Sequence, residues 1–326
     1  MKGQIVSLLA QHSVYASTQE VLYKTADKLG LEKFDFPQNS KKIIYRSKTR
    51  HFGYVSLEFK KENLYLADSP FVSFETWKLM LRNIPCVIVE EYNPRKGFKD
   101  FFAKNALRFF SSRPFIVLTK RTYLFLKSLG ATPLLVPPAA KKRRATKKRE
   151  HILFVGRAIA SKNPFLFIRL AELLKDEKFV FIGKGELADE ITKKTKSLDN
   201  FEYIPFAESM DVLFDYYSRS KILIHPAFRD PIGFVIVEAL STSTPVISSY
   251  GAGASDYLPK DWVVDSVDEA EWIRKIKGVL ENLEGNVRLA KETFENEHLD
   301  IDDPYFDKMN AQLEEKLKIR WPALFQ

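Results

Sequence analysis

The chain of 326 residues has almost no cysteine: Cys86 stands alone. A single thiol excludes an internal disulfide and fits a reducing compartment. Cys86 lies inside the apolar run Ile84–Val89, so it reads as a buried structural thiol. Long hydrophobic runs are missing too. No stretch approaches the roughly 20 apolar residues that span a bilayer. The opening MKGQIVSLLAQHSV holds too short an apolar run for a signal peptide and reads as a first strand, Gln4–Leu9. No internal repeat of short period is evident. What is there excludes disorder: 45% of residues are apolar and 26 are Phe, and the length suits two ordinary domains, each with its own core.

Charge is divided unevenly. Residues 1–150 carry 29 Lys and Arg against 12 Asp and Glu, a formal +17, and the remainder carries 22 against 30, a formal −8. The basic half suggests an anionic partner, such as a membrane surface, an acidic acceptor or nucleic acid, although scattered lysines on a solvated face would look the same. Two segments concentrate the charge. Arg95–Arg113 interleaves Phe98, Phe101, Phe102, Leu107, Phe109 and Phe110 with basic residues. That pattern fits a helix lying on an anionic membrane and equally a core-packed helix with a basic outer face. Lys141–Arg149 has seven basic residues in nine and reads as a solvated linker between domains.

Lys221–Ser248, KILIHPAFRDPIGFVIVEALSTSTPVIS, is the most informative stretch. Ile222–Ile224 reads as a buried strand, Pro226 to Gly233 as a loop, Phe234–Leu240 as the start of a helix, and Pro245–Ile247 as the next strand. Such a unit presents helix amides at the top of a parallel sheet, where an anion can sit. A diphosphate would rest on the amides near Ile232, Gly233 and Phe234. Asp230 and Glu238 frame the loop and can border that pocket. The same pattern is also compatible with an ordinary αβ unit whose acids are solvated.

This stretch resembles the acid-x7-acid signature of retaining glycosyltransferases of family four, which have the GT-B fold. Asp230, Gly233, Glu238, Ala239, Pro245 and Val246 are in register with it, as is Pro226. The chain departs at Asp230, where Glu is usual, at Pro231-Ile232, where Gly-Phe is usual, and at Ser243, where a glycine is common. A second match is HILFVGRAIASKNPF: strand His151–Val155, a turn at Gly156, then Arg157 and Lys162 ahead of a helix opened by Asn163-Pro164. The resemblance implies that Arg157 and Lys162 bind the donor diphosphate, Glu238 the ribose and Asp230 the transferred sugar. It puts Gly183, in FVFIGKG, before the nucleobase pocket and Phe206 in the segment that contacts the base. Gly251–Ala254 resembles a glycine-rich loop of the family.

The first half matches only in outline. His12 and Ser13 occupy the loop where family members often carry a glycine pair, which is absent here. Glu90 and Glu91 follow the strand Ile84–Val89, where many members place a histidine; they read as acceptor-side residues or as a solvated turn.

The expected fold is α/β of the GT-B type, with two Rossmann-like domains whose parallel sheets face an interdomain cleft. The expected division is an acceptor-binding domain at 1–139, a linker at 140–150, a nucleotide-sugar domain at 151–302, and a terminal helix at 303–326 returning to the first domain. The implied activity is retaining transfer of a sugar from a UDP- or GDP-sugar to a glycan, lipid or protein acceptor. No metal or other cofactor is implied. The expected location is cytoplasmic, with Arg95–Arg113 as a contact to the inner face of a membrane. Two alternatives stay open: an inactive GT-B protein serving as a basic nucleic-acid- or membrane-binding module, and a nucleotide-sugar epimerase of the same fold.

Overall fold

A computed structural model describes residues 4–7, 32–34, 64–68, 74–89, 98–144 and 148–325. The chain divides into two compact units. The first is Met1–Val136 with Pro304–Gln326, and the second is Pro137–Asp303. On that division the first unit carries 26 Lys and Arg against 14 Asp and Glu, a formal +12, and the second 25 against 28, a formal −3.

The described strands of the first unit are β1 (Gln4–Ser7), β2 (Glu32–Phe34), β3 (Leu64–Asp68), β4 (Cys86–Val89), β5 (Phe115–Val117) and β6 (Leu134–Leu135). They form one sheet in the order β2-β1-β3-β4-β5-β6, all parallel. Helices α1 (Phe74–Leu81), α2 (Phe98–Phe109) and α3 (Lys120–Ser128) connect β3 to β6. Cys86, Ile88, Phe115 and Val117 are buried with Leu79, Leu107 and Leu126 from these helices and with Phe110 just after α2. The uninterrupted apolar run at Ile84–Val89 is therefore what a parallel strand covered on both faces requires. Thr119 caps α3 by accepting from the Thr122 amide. The final helix, α10 (Tyr305–Arg320), belongs to this unit and buries Phe306, Met309, Leu313 and Leu317 at helical spacing. Its Tyr305 hydroxyl donates to the Leu135 carbonyl at 3.1 Å.

The second unit has β7 (His151–Val155), α4 (Pro164–Leu173), β8 (Lys178–Ile182), α5 (Ala188–Thr195), β9 (Phe201–Ile204), α6 (Met210–Ser218), β10 (Ser220–His225), α7 (Phe234–Ser241), β11 (Val246–Ser249), β12 (Val263–Val264), α8 (Glu269–Glu281) and α9 (Leu283–Asn296). Its sheet runs β9-β8-β7-β10-β11-β12, all parallel. This is the doubly wound order whose direction reverses between β7 and β10, and the crevice at that reversal is where ligands of such sheets bind. Phe154, Phe167, Phe179 and Phe181 pack against one another in the core, with centroid separations of 4.3 to 6.4 Å.

The sequence reading and the structure differ at several elements. The strands expected at 42–46 and 51–59 and the helix expected at 17–29 lie outside the described residues. Strand β2, helix α5 and helix α9 had no clear sequence signal. The largest difference is at 140–150. The described residues there, 140–144 and 148–150, make contacts within the second unit, while Lys141, Lys142, Arg144 and Lys148 stay exposed. The Ala140 amide donates to Leu299 and its carbonyl accepts from Ile301, while the Arg143 amide donates to Ser241. The Arg143 guanidinium lies 4.0 Å from the Phe214 ring centre. Arg149 reaches four acceptors: Ser220 O at 2.6 Å, Thr244 Oγ1 at 2.8 Å, Ser243 O at 3.0 Å and Thr242 O at 3.3 Å. Burial brings its guanidinium down to about 10. A run of positive charge looks solvated in sequence, but an arginine stem and its five donors can satisfy carbonyls at the turns before β10 and β11.

This predicts that Arg149→Met unfolds at lower denaturant, by about 3 kcal/mol, because buried carbonyls lose a charged donor. A change below about 0.5 kcal/mol, as for a solvated surface residue, would restore the linker reading.

Candidate active site

The residues singled out in the second half gather at the carboxyl ends of β7, β8, β9 and β10. Gly156 and Arg157 follow β7, Gly183 follows β8, and Phe206 lies two residues beyond β9. Lys162 ends a short 3₁₀ turn, Ala160–Lys162, and Asp230 sits in the loop after β10. Ile232 and Gly233 lead into α7, whose first residue is Phe234.

Two glycines there answer to geometry. A Cβ on Gly183 would stand 1.8 Å from the Gly156 carbonyl oxygen, so the turns after β7 and β8 touch backbone to backbone. Gly233 caps α7 with φ 83, a left-handed conformation that a glycine adopts without strain.

Asp230 is the most constrained side chain. Its Oδ2 accepts from Lys162 Nζ and meets His225 Nε2 at 3.0 Å. The ion pair is largely buried, at 12% and 15% side-chain exposure. Its backbone is clamped as well: the Asp230 amide donates to Gly251 and its carbonyl accepts from Gly253, while the preceding Arg229 amide donates to Ser161. Burial opposes ionisation of Asp230, but His225 and Lys162 outweigh it and hold the carboxyl well below the usual range. The shorter Asp, where the resembling family uses Glu, is thus drawn onto a lysine and a histidine. Its Oδ1 has no donor among the described residues.

His225 was not singled out in the sequence. The available signal was its position, at the end of the strand facing the reversal and five residues before Asp230. It is 1% exposed.

Glu238, in the second turn of α7, is placed differently. Its Oε2 accepts from the Tyr217 hydroxyl at 2.7 Å. Burial pushes its carboxyl up, and the Tyr217 hydrogen bond only partly offsets this. Asp230 and Glu238 share no partner, so the two acids are held by separate contacts and shifted in opposite directions.

Around these acids lie unused donors. Arg157 is exposed and has no partner among the described residues. The amides of Ile232, Gly233 and Phe234 make no hydrogen bond among the described residues. Phe206 is 69% exposed, with Lys184 Nζ 5.4 Å from its ring centre. The Ile232 side chain is itself buried in the core. His12, Ser13, Glu90 and Glu91, the expected acceptor-side residues, lie outside the described residues.

Residues 137–296 match the family described as glycosyl transferases group 1. This stretch is similar to the group 1 glycosyl transferases and makes up just under half of the chain. It covers the second unit up to residue 296, with every residue that the resemblance puts on the donor side. Over 168 residues the chain is 28% identical to GalNAc-alpha-(1->4)-GalNAc-alpha-(1->3)-diNAcBac-PP-undecaprenol alpha-1,4-N-acetyl-D-galactosaminyltransferase of Campylobacter jejuni, covering 47% of this chain and 46% of that enzyme. It is 22% identical to a sulfoquinovosyl transferase of Arabidopsis thaliana, over 43% of this chain and 28% of that one. The chain thus spans less than half the length of these two relatives. Among solved structures, a Rickettsia africae glycosyltransferase superposes with a TM-score of 0.67 at 14% identity, over 97% of this chain and 99% of that one. The Anabaena protein HepE in complex with UDP gives 0.66 at 12% identity, over 98% and 100%. These likenesses establish the fold: α/β, with two parallel-sheet units, as in GT-B glycosyltransferases.

In the second unit the raised carboxyl of Glu238 has a pH consequence. The folded state holds that proton more tightly than the unfolded chain, so the group's contribution to stability is lost as pH rises from the ordinary glutamate range through the raised value. Glu238→Gln keeps an acceptor for Tyr217 and has no charge to bury. Its melting temperature should gain on wild type as pH rises above the ordinary glutamate range, and level off once the wild-type carboxyl has ionised. A difference that is flat in pH would show that Glu238 ionises in the fold as freely as in the unfolded chain.

Proposed function

We propose that the chain transfers a sugar from a nucleoside-diphosphate sugar to an acceptor hydroxyl, with retention at the anomeric carbon. The supporting observation is the set of unused donors at the reversal of the second sheet: exposed Arg157, and the amides of Ile232, Gly233 and Phe234 ahead of α7. Helix amides and fixed cations suit a diphosphate. Its negative charge grows as the bond from the anomeric carbon to the phosphate oxygen breaks, so the same groups favour the transition state. These cations are the protein's own, and the reading needs no metal ion. Lys162 is held by Asp230 until a diphosphate competes for it. Glu238 keeps Oε1 for the ribose while Tyr217 holds Oε2. Asp230 offers Oδ1 to the transferred sugar. The acceptor oxygen forms the new bond on the face the diphosphate leaves, and its proton passes to the departing phosphate oxygen.

Two further parts of the reading rest on other observations. A UDP donor is favoured by the HepE complex, which holds UDP in a protein of the same fold. A lipid-linked acceptor is favoured by the Campylobacter relative, whose acceptor carries undecaprenol diphosphate. Attachment to the inner face of a membrane is a further part of the reading, favoured by the +12 charge of the first unit and by α2, where Phe101 and Phe109 are 65% and 76% exposed beside Lys104 and Arg108. No described helix is long and apolar enough to cross a membrane.

The test is a thermal-shift panel with UDP, GDP and ADP and their sugars, on wild type and Arg157→Ala. At a hundredfold excess over Kd a ligand stabilises by about 2.7 kcal/mol. One nucleotide should raise the melting temperature of wild type, and the rise should fall away in Arg157→Ala. Turnover of that nucleotide's sugar should drop about a hundredfold in the variant, as when one donor to a developing oxyanion is removed. A flat panel on folded wild type would overturn the reading.

A further inference from the structure

A second cluster of unanswered positive charge lies in the first unit, away from the carboxyl ends of its strands. A pocket of about 520 Å³ is lined by Asn83, Ser112, Arg113, Thr132, Lys316 and Arg320, with Pro114 and Ile319 beside them. Asn83 precedes β4, Ser112 to Pro114 precede β5, and Thr132 precedes β6. The pocket therefore sits at the amino edge of the sheet, where the last turn of α10 closes it. Ligands of doubly wound sheets bind at the opposite edge, so this is not the place where such a sheet holds its acceptor.

Three cations meet here and no carboxylate lines the pocket. Each is held by neutral oxygens alone. Arg113 Nη2 donates to the Met80 carbonyl. Lys316 Nζ donates to Thr132 Oγ1 at 3.0 Å. Arg320 Nη1 donates to Ser112 O at 3.0 Å and Oγ at 3.4 Å. Among the described residues none of the three has an acidic partner.

Arg113 is 7% exposed, and its Nη1 is buried without an acceptor. Arg320 Nε and the Nε1 of neighbouring Trp321 are buried without one as well. The two guanidinium carbons lie 5.8 and 5.3 Å from the Trp321 ring centre, so the unused donors share one locality. Burial lowers Arg113, the neighbouring Cys86 thiol partly offsets this, and the like charge of Arg320 lowers it further; that thiol is itself pushed up to about 11 by burial and brings no charge near neutral pH. A guanidinium withdrawn from water normally meets a counter-charge, since burying it unpaired is costly. No described residue supplies one here, and a phosphate group would bring both the charge and the acceptors.

The rim adds a second feature. Ile319 lines the pocket and is 77% exposed. Pro114 lies beside it in the lining. A cationic pocket with an apolar rim suits a phosphate whose bearer has a hydrocarbon part.

We propose that this pocket is a phosphate-binding site of the first unit, separate from the donor site, taking a phosphate group from an amphiphile's head or from solution. The binding needs Lys316 and Arg320 as charges and Arg113 as the buried anchor, and it stands whether or not the chain transfers sugar.

The test uses the full chain with Arg157→Ala, so that phosphate at the donor site does not contribute. Two double variants on that background lose equal charge: Lys316→Gln/Arg320→Gln at the pocket, and Lys104→Gln/Arg108→Gln on α2. Arg113 stays, because its removal threatens the fold, and circular dichroism checks all three proteins. The probes are inorganic phosphate and pyrophosphate by thermal shift, and co-sedimentation with phosphatidylcholine vesicles with and without phosphatidic acid. If the phosphate comes from solution, pyrophosphate or phosphate stabilises the parent and the α2 variant but not the pocket variant. If it comes from an amphiphile, the soluble anions do nothing. Binding to phosphatidic acid vesicles then weakens about fivefold per cation in the pocket variant, more than in the α2 variant. No soluble-anion effect, together with vesicle binding that is absent or falls equally in both variants, would overturn the proposal.

Discussion

The second unit depends on one carboxylate held from three sides. Asp230 ties the turn after β7, through Lys162, to the end of β10, through His225, and its backbone is paired with the loop at Gly251–Gly253 beyond β11. A doubly wound sheet leaves a crevice where its order reverses, because neighbouring connections there run to opposite faces. Loops at such a crevice have no neighbour to lean on. Here an ion pair and a short backbone ladder replace that support. Under the proposed function a diphosphate would compete with Asp230 for Lys162, so the contact that orders these loops is also one that the donor would rearrange. A largely buried pair of this kind contributes little net stability, because desolvation offsets most of the attraction. Its value is geometric.

Helix α7 carries the opposite arrangement. Its sequence, FVIVEALS, is apolar almost throughout, and Ile236, Val237, Ala239 and Leu240 are buried. A helix so enclosed has few neighbours able to neutralise a charge, and among the described residues Glu238 has only the hydroxyl of Tyr217. The carboxyl is consequently raised, whereas Asp230, eight residues earlier, is lowered. Two acids of one motif are thus shifted in opposite directions, because one faces a lysine and a histidine and the other a helix core. A buried carboxylate costs stability, and under the proposed function that cost holds an acceptor in place on a rigid helix for the donor's hydroxyls.

Legibility followed the physics of each segment. The strands of the second unit were evident because a parallel strand covered on both faces must be apolar throughout, as in His151–Val155 and Ile222–Ile224. The terminal helix was evident from Phe306, Met309, Leu313 and Leu317 at helical spacing. The glycine-to-serine departure at 243 was visible too, and the backbone there is left-handed, φ 57, the conformation glycine takes most easily. What could not be read was pairing. Nothing in the local pattern joins Tyr217 to Glu238 or His225 to Asp230, since each contact is made by the fold bringing separate elements together. Helix α5, ADEITKKT, has too few apolar residues to announce itself, and only Ile191 and Thr195 are buried.

The basic run at 141–149 shows how far composition alone misleads. Counted with the first half of the chain, its seven positive charges enlarge the contrast between halves to +17 against −8. Assigned to the unit it packs with, the contrast falls to +12 against −3. Part of the apparent surface charge is structural: Arg149 serves four oxygens inside the second unit and Lys142 pairs with Glu295 at 2.6 Å. The remaining excess lies on the first unit, and there the three cations around Asn83 and Thr132 are left without acids while Lys318, two residues from Lys316, is paired with Glu314. Net charge fixes only the sign of a partner. Which positive groups the fold has already satisfied, and which it leaves unanswered, decides where that partner can bind.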